Sequence, residues 1–467
     1  MVGRVVIAAP ASGSGKTVVA TGLMAALRRA GHVVAPFKVG PDYIDPGYHT
    51  LAAGRPGRNL DPVLVGADLV GPLFTHGSAG ADVAVVEGVM GLFDGKVGAA
   101  GFGSTAHVAE LLGAPVVLVV DTRGHSSSIA ALLHGFRTWR PTVRLAGVIL
   151  NQVGSDRHET VLRDACADVG LDVFGVLRRN AAVTVPSRHL GLVTAAEHGA
   201  AAHDAVEAMA DLVAGGVDLA AIVRLAQTGP SFPLWEPDIA AVPGEPVVAV
   251  AGGPAFTFGY AEHVELLRAA GATVAVVDPL RDTALPAGTA GIVLPGGFPE
   301  QYAVDLSANA ELRAAVAAAG VPIHAECAGL LYLTRSLDGQ PMCGVLDAEA
   351  TMTDRLTLGY RDVVATADSV LHTVGARLTG HEFHRTTVTP AHGELPAWRW
   401  RGGADGFVTA TVHASYVHTH PAATPAAVGR FVARCAARSS STANTTPIVT
   451  HSTTWVPSDA SRNSQSV

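Results

Sequence analysis

From its first residues the chain alternates continuous apolar runs with stretches of helical period. "RVVIAAP" is followed by a helical pattern from Thr17 to Ala30, then by "HVVAPFKVG", "ADVAVVEG", "APVVLVVDT", "RLAGVILNQV" and "DVFGVLRR". Runs that are apolar at successive positions, not at every second one, must be covered on both faces, which is the signature of a parallel sheet between layers of helix. In the first helical stretch Val19, Leu23 and Leu27 recur every four residues and give one stripe to pack on that sheet; Gly31 stops it. Residues 228–246, "TGPSFPLWEPDIAAVPGEP", carry five prolines and two glycines and break all periodicity, as an interdomain linker does. A second α/β pattern follows, with "PVVAVAGG", "ATVAVVDP", "GIVLPGG" and "VPIHAEC" as strands and "AEHVELLRAAG" as a helix. A length of 467 residues exceeds one ordinary core. The expected organisation is α/β with two domains, each a mostly parallel sheet covered by helices, over residues 1–230 and 247–437 with a linker at 231–246. The Ser/Thr-rich end, 438–467, has no period and is expected to be disordered.

Composition narrows what such a protein does. Charged residues make up only 15% of the chain, yet no apolar run approaches the roughly 20 residues of a membrane span. The N-terminus enters a strand at once and lacks the pattern of a secretory signal. The four cysteines, Cys166, Cys327, Cys343 and Cys435, are far apart and form no CxxC pair, so a reducing cytoplasm fits best. A net charge of -8, with no basic run, argues against nucleic acid as a partner.

Between the first strand and first helix lies "APASGSGKT", residues 9–17. Glycines Gly13 and Gly15 let the backbone wrap phosphate oxygens, the helix start offers unpaired N–H groups, Lys16 supplies charge, and the Thr17 hydroxyl suits Mg²⁺. Pro10 stands where the usual phosphate loop has its first glycine. Such a site calls for carboxylates, because magnesium takes a hard oxygen shell. Glu87 ends an apolar strand, and Asp42 and Asp45 follow another in "KVGPDYIDPGYH", positions where open α/β sheets present ligand-binding groups.

In "VPIHAECAGLLYL" a strand runs into Cys327 and a helical stretch follows, the outline of a nucleophile elbow. A helix start also lowers a thiol's pKa. Taken alone, an apolar-flanked cysteine reads as a small core residue; its company decides otherwise. Gly296 and Gly297 follow the preceding strand, where bare N–H groups form an oxyanion hole. "VHASYVHTH" supplies His413, His418 and His420 as candidate bases, and "GHEFHRT", residues 380–386, reads as too polar for a core strand.

In order along the chain, "APASGSGKT", "FKVGPDYIDPGYH", "VVEGVMGLFDG", "VVDTRGHSSSIAAL" and "GVILNQVGSDRHE" resemble the synthetase half of the cobyrinic and hydrogenobyrinic acid a,c-diamide synthases, itself similar to dethiobiotin synthetase. "LPGGFPE", "AECAGLLYL", "LGYR", "GHEFHRT" and "ASYVHTH" resemble the class I glutamine amidotransferase domain attached to such enzymes. The resemblance covers roughly residues 4–435. It implies a P-loop NTPase-like domain followed by an amidotransferase-like one, and ATP- and glutamine-dependent amidation of the a and c carboxylates of a corrin in cobalamin biosynthesis. ATP, L-glutamine and a corrinoid polycarboxylate would be the partners and Mg²⁺ the cofactor; a homodimer is compatible with it. By resemblance Lys16 and Thr17 serve ATP and Mg²⁺, and Asp42, Asp45 and Glu87 support metal binding and phosphoryl transfer. Tyr43 and Ile44 lie close to the substrate carboxylate, and Asn151 near adenine. Cys327 attacks the glutamine amide, His418 is its base and Gly297 helps hold the oxyanion. Lys38, Arg55 and Arg58, near the "PDYID" loop, are candidate partners for further corrin carboxylates.

Two departures stand out. Ala325 and Ala328 replace the usual elbow glycines, and His418-Thr419-His420 stands where many class I enzymes have His-x-Glu, leaving the third member of the Cys-His site unassigned. Cobyric acid synthase and a nickel-sirohydrochlorin diamide synthase are same-class alternatives. A partitioning ATPase is the alternative from another class, but its loop has a lysine where this chain has Ala11, and it leaves the second domain unexplained.

Overall fold

A computed structural model of the chain describes residues 2–179, 187–188, 191–192, 194–227 and 229–442. The apolar runs of the first half form one seven-stranded parallel sheet. Its strands are β1 (Gly3–Ala8), β2 (Val34–Val39), β3 (Arg58–Leu60), β4 (Val83–Glu87), β5 (Val116–Asp121), β6 (Leu145–Val153) and β7 (Asp172–Arg178), in the order β3-β2-β4-β1-β5-β6-β7. Every residue of β1, β2 and β4 is buried, as two-sided coverage demands.

Helix α1 (Lys16–Arg29) follows β1 and buries Val19, Leu23 and Leu27 completely. Its first turn has no side-chain cap, so its N–H groups are left for the loop that precedes it. Because β1, β2, β4 and β6 run parallel, the phosphate loop, the Asp42–Asp45 loop, Glu87 and Asn151 all emerge at one edge of the sheet, the carboxyl edge where α/β folds bind ligands.

The second half contains a further sheet in the order Thr273–Val277, Val247–Ala251, Thr289–Leu294, Ile323–Glu326, Val412–Ser415, Phe407–Val408, parallel except for its last pair. Beside it stands an element the sequence pattern did not announce, a mostly antiparallel sheet built on the long strands Glu349–Ala365 and Arg377–Thr389. "GHEFHRT" lies inside the second of these, although its polarity argues against a core strand. Several of its polar groups are engaged: Glu382 pairs with Arg361 at 2.5 Å, and His384 meets the Thr386 carbonyl through Nδ1 at 2.8 Å while its ring stacks on Tyr416 at 3.7 Å between centroids. Burial of polar groups is tolerated when they are paired. Arg377–Thr389 also holds the segment around His418, through reciprocal backbone hydrogen bonds between His381 and His418 of 2.9 and 2.8 Å.

One hydrophobic core runs from the first sheet through Tyr43 into Phe258, Tyr260, Leu266 and Leu267 of the second half, and a second fills the space around Ala249, Ile292, Leu330 and Tyr332. The halves therefore share apolar surface. Ion pairs border it: Arg58 joins Glu262 at 2.7 Å and also Glu265, His76 meets Glu265 at 2.8 Å, and the Tyr360 hydroxyl donates to Asp61 at 2.9 Å. No described helix is long and apolar enough to cross a membrane. The final helix runs Pro425–Thr442; the tail expected to be disordered lies, from residue 443 on, outside the described residues.

Candidate active sites at two sheet edges

At the first edge Gly13 and Gly15 take left-handed conformations, with φ of 81° and 91°. Gly15 is doubly constrained, since a Cβ there would stand 2.3 Å from Asn151 Nδ2. Asn151 uses that amide to donate to the Ser14 carbonyl at 3.0 Å, so it braces the phosphate loop from β6. Lys16 Nζ donates to the Met90 carbonyl at 2.9 Å across the mouth of the loop.

Thr17, Asp42, Asp45 and Glu87, picked out separately in the sequence, converge. The Thr17 hydroxyl donates to Glu87 at 2.6 Å and lies 3.3 Å from Asp45. Lys38, on β2, completes the group: its ammonium is bonded to Asp45, lies 2.9 Å from Glu87 and 3.7 Å from Asp42. His49 meets the other Glu87 oxygen at 2.7 Å. Asp42 also accepts from the N–H groups of Ile44 and Asp45 at 2.8 and 3.1 Å, which fixes the turn.

Charge in this cluster follows from burial and pairing together. Burial works to raise the Glu87 carboxyl, but Lys38, His49 and Thr17 outweigh it and hold the group below the usual carboxylate range. Burial works to lower Lys38, and Asp45, Glu87 and Asp42 outweigh that and raise it. Asp45 is pushed well up, by burial first and then by Asp42 and Glu87, against Lys38. Among the described residues no three His, Cys, Asp or Glu side chains are arranged to hold a metal by themselves. Mg²⁺ bound with a nucleotide takes one or two carboxylates and fills its shell with phosphate oxygens and waters. Thr17 and the carboxylates are hard oxygen donors of the right kind.

The three basic residues expected to meet further substrate carboxylates are engaged elsewhere. Lys38 belongs to the carboxylate cluster, Arg58 to the clasp with Glu262 and Glu265, and Arg55 donates to the carbonyls of Gly77 and Ala79 at 3.1 and 2.9 Å. The sequence placed all three near the right loop; their partners are set by tertiary structure.

At the second edge Ile323–Glu326 leads into Cys327, whose φ of 47° is a sharp left-handed turn before the helix Ala328–Leu333. A non-glycine residue at positive φ is strained and marks functional turns. The N–H groups of Gly297 and Ala328 point at the cysteine sulfur. The helix start was expected to lower the thiol's pKa. Instead burial, and then the charge of Glu300, push it up, and those two N–H groups only partly oppose them. Burial thus favours the neutral thiol of Cys327. A Cβ at Gly297 would stand 2.1 Å from the Ala255 carbonyl oxygen, so only glycine brings its N–H to the sulfur. Gly296 makes room for His418, since a Cβ there would stand 2.3 Å from His418 Cε1 and only glycine admits the ring.

His418 is fully buried, and among the described residues no hydrogen bond engages either ring nitrogen. Nδ1 lies 3.6 Å from Oε2 of Glu326, the residue just before the cysteine. The other Glu326 oxygen accepts from the Thr419 N–H at 3.1 Å and the Thr419 hydroxyl at 3.0 Å, and lies 3.3 Å from His324 Nε2. Burial works to raise this carboxyl, but His324 and His418 outweigh it and hold it well below the usual range. His413 turns the other way, toward Ser369 at 3.1 Å.

The two edges meet at Tyr43. Its ring, carried between Asp42 and Asp45, stacks on Phe258 at 5.1 Å and lies 5.1 Å from Tyr260 and 5.0 Å from His418. Sequence spacing alone could not show that the phosphate-site loop touches the other domain's histidine. Ile44 is buried beside it.

A phosphate-loop domain joined to a domain with a cysteine elbow and an adjacent histidine defines a nucleotide-dependent glutamine amidotransferase. Residues 5–193 match the family model of the CobQ/CobB/MinD/ParA nucleotide binding domain, and residues 247–426 that of the CobB/CobQ-like glutamine amidotransferase domain. The hydrogenobyrinate a,c-diamide synthase of Mycobacterium tuberculosis (strain ATCC 25618 / H37Rv) is 61% identical over 439 residues, covering 91% of this chain and 96% of its own. That of Streptomyces coelicolor is 58% identical over 462 residues, covering 90% and 95%. The cobyrinate a,c-diamide synthase of Gloeobacter violaceus is 42% identical over 433 residues, covering 89% and 93%. The chain belongs to the a,c-diamide synthase family, whose members amidate with glutamine as nitrogen source. The second domain, absent from a partitioning ATPase, removes that alternative.

Proposed function

We propose that this protein converts the a and c side-chain carboxylates of hydrogenobyrinate to amides, using ATP and glutamine. The choice of hydrogenobyrinate over cobyrinate rests on the gradient of likeness, since relatives named for hydrogenobyrinate are 54–61% identical and those named for cobyrinate 38–42%.

The chemistry divides between the domains. An amide cannot form from a carboxylate in water unless hydroxide is replaced by a better leaving group. In the first domain the substrate carboxylate takes the terminal phosphoryl group of ATP, giving an acyl phosphate and ADP. Here catalysis is placement and charge neutralisation. Gly13, Gly15 and Lys16 cradle the phosphates, Lys38 keeps the carboxylates from repelling the incoming anion, and Tyr43 and Ile44 flank the substrate carboxylate. Mg²⁺, bound to the nucleotide phosphates and held by Thr17 with one or two of the carboxylates Asp42, Asp45 and Glu87, would supply charge stabilisation to the phosphoryl group; Asn151 keeps the loop in shape beside the nucleotide. In the second domain His418 takes the Cys327 proton as sulfur attacks the glutamine amide, the oxyanion forms against Gly297, and the proton returns to the departing ammonia. Water then frees glutamate from the thioester, and ammonia displaces phosphate from the acyl phosphate.

The observation that carries this reading is the contact of Tyr43 with His418, which joins the two chemistries. It is tested by incubating the protein with ATP, glutamine and either hydrogenobyrinate or cobyrinate. Two new amides on hydrogenobyrinate, each with one ADP and one glutamate, are expected. ATP hydrolysis with no change in the mass of either corrinoid would contradict the reading, and faster turnover of cobyrinate would reverse the choice of substrate.

A further inference from the structure

His418 has no carboxylate two residues after it. His420 holds that position, and it is turned away: its Nδ1 accepts from the Ala422 N–H at 3.3 Å and its ring lies 4.1 Å from that of Tyr260. An imidazole that must take a proton at one nitrogen works best when the other is held and the resulting cation is stabilised. Some other group must therefore face Nδ1.

We infer that Glu326, the residue immediately before the nucleophile, is the third member of the glutaminase site and orients His418 through Nδ1. Three observations support this. Its Oε2 stands 3.6 Å from Nδ1, within ion-pair reach and longer than a hydrogen bond; contacts of this kind tighten when substrate is bound. Its Oε1 is gripped by the N–H and hydroxyl of Thr419, the residue right after His418, and by His324 two positions back on its own strand. The carboxylate is thus fixed to the same turn as the base it serves, and its orientation is not free to drift. Its burial, with a side chain only 12% exposed, keeps it from being screened by solvent.

The strand register explains how this is built. Glu326 pairs with Ser415 and the next amide, that of Cys327, donates to the Ser415 carbonyl at 2.8 Å, so the ends of these two adjacent strands are level. One strand then delivers carboxylate and nucleophile in succession, and its neighbour delivers the base three residues further on. Glu326 touches no reacting atom, and is a positioning residue. With it, the His-x-Glu arrangement is replaced by Glu-Cys on one strand and His-Thr on the next.

The inference rests on the glutaminase role of Cys327 and His418 proposed above, and the test separates the two. Glu326→Gln retains the shape and can still accept from Thr419, but has no charge. Glutaminase kcat should fall about 100-fold with the KM for glutamine little changed, in the range that positioned proton transfer contributes. Glu326→Asp should recover at least a tenth of the parent rate. Thr419→Val, which loosens the grip but leaves the carboxylate, should lower kcat less than Glu326→Gln. Amidation supported by ammonium reports that each variant is folded; if Glu326→Gln loses it too, the decision passes to Glu326→Asp. A kcat for Glu326→Gln within twofold of the parent, a rise in KM alone, or a Glu326→Asp no faster than Glu326→Gln would overturn the inference. Glutamine-dependent activity surviving in Cys327→Ala would instead overturn the reading on which it rests.

Discussion

The two sites occupy the same kind of place, the carboxyl ends of parallel strands, and treat charge in opposite ways. The phosphate-side cluster gathers its carboxylates around one cation: Lys38 is inserted among Asp42, Asp45 and Glu87, and His49 and Thr17 take what remains of Glu87. On the glutaminase side one carboxylate, Glu326, is held charged beside His324 and His418, while burial pushes the Cys327 thiol up, lowers His381 to about 3 and lowers His420 to about 4. One edge is built to receive an anion and the other to keep a neutral thiol until a neutral amide arrives. The lesson is that a shared fold sets where chemistry happens, while the burial of a few side chains sets which chemistry it is.

That contrast can be broken from either end. The largest effect is expected from Lys38→Met, which leaves Asp45 and Glu87 buried without their cation. Loss of one partner of such a group costs about 3–5 kcal/mol, so the unfolding temperature should drop and amidation should fail with both glutamine and ammonium. Arg58→Ala comes next: Arg58 and Glu262 are nearly excluded from solvent at the boundary of the halves. A loss of about 3 kcal/mol is expected, and calorimetry should show the halves unfolding in two transitions where the parent shows one. Tyr43→Ala should leave glutamine hydrolysis running faster than amide formation, with the ratio of glutamate to amide rising several-fold above one. Tyr43→Phe, which keeps the ring against Phe258 and His418, should hold the ratio near the parent value. The smallest effect concerns Glu265. Burial works to raise its carboxyl, but His76 and Arg58 outweigh it and lower the pKa to about 2 from an ordinary 4.5. Its contribution is present above about pH 4.5 and lost as pH falls toward 2. Because the side chain is partly exposed, this is worth no more than about 1 kcal/mol; the stability advantage of the parent over Glu265→Gln should be present at pH 6 and shrink by pH 3.

Much of this molecule could be read from local pattern. Runs such as Val83–Glu87 and Val116–Asp121 are apolar up to their final acidic residue and could only be buried strands of a parallel sheet, and the strand-to-helix turn at Cys327 carries its own signature. The convergence of Thr17, Asp42, Asp45 and Glu87 also follows from strand ends sharing one edge. What stays hidden depends on pairing between distant residues. The strands Glu349–Ala365 and Arg377–Thr389 are polar, half exposed and stabilised by each other, so neither has the apolar run that announces a strand. Lys38 looks like any lysine near a binding loop until β2 and β4 set it beside Glu87. Glu326 escapes notice for a similar reason: spacing in sequence points two residues past His418, whereas the carboxylate comes from the neighbouring strand. A left-handed φ at Cys327 is implied by the elbow, but its raised pKa depends on how completely the site is buried.

The central claim is that Cys327 releases ammonia from glutamine and that the phosphate-side domain uses it. Cys327→Ala, assayed on hydrogenobyrinate with ATP and either glutamine or ammonium, tests that claim most directly. Glutamine should no longer support amidation, whereas ammonium should still do so, at a rate near that of the parent with ammonium. Amidation by Cys327→Ala with glutamine at the parent rate would contradict it.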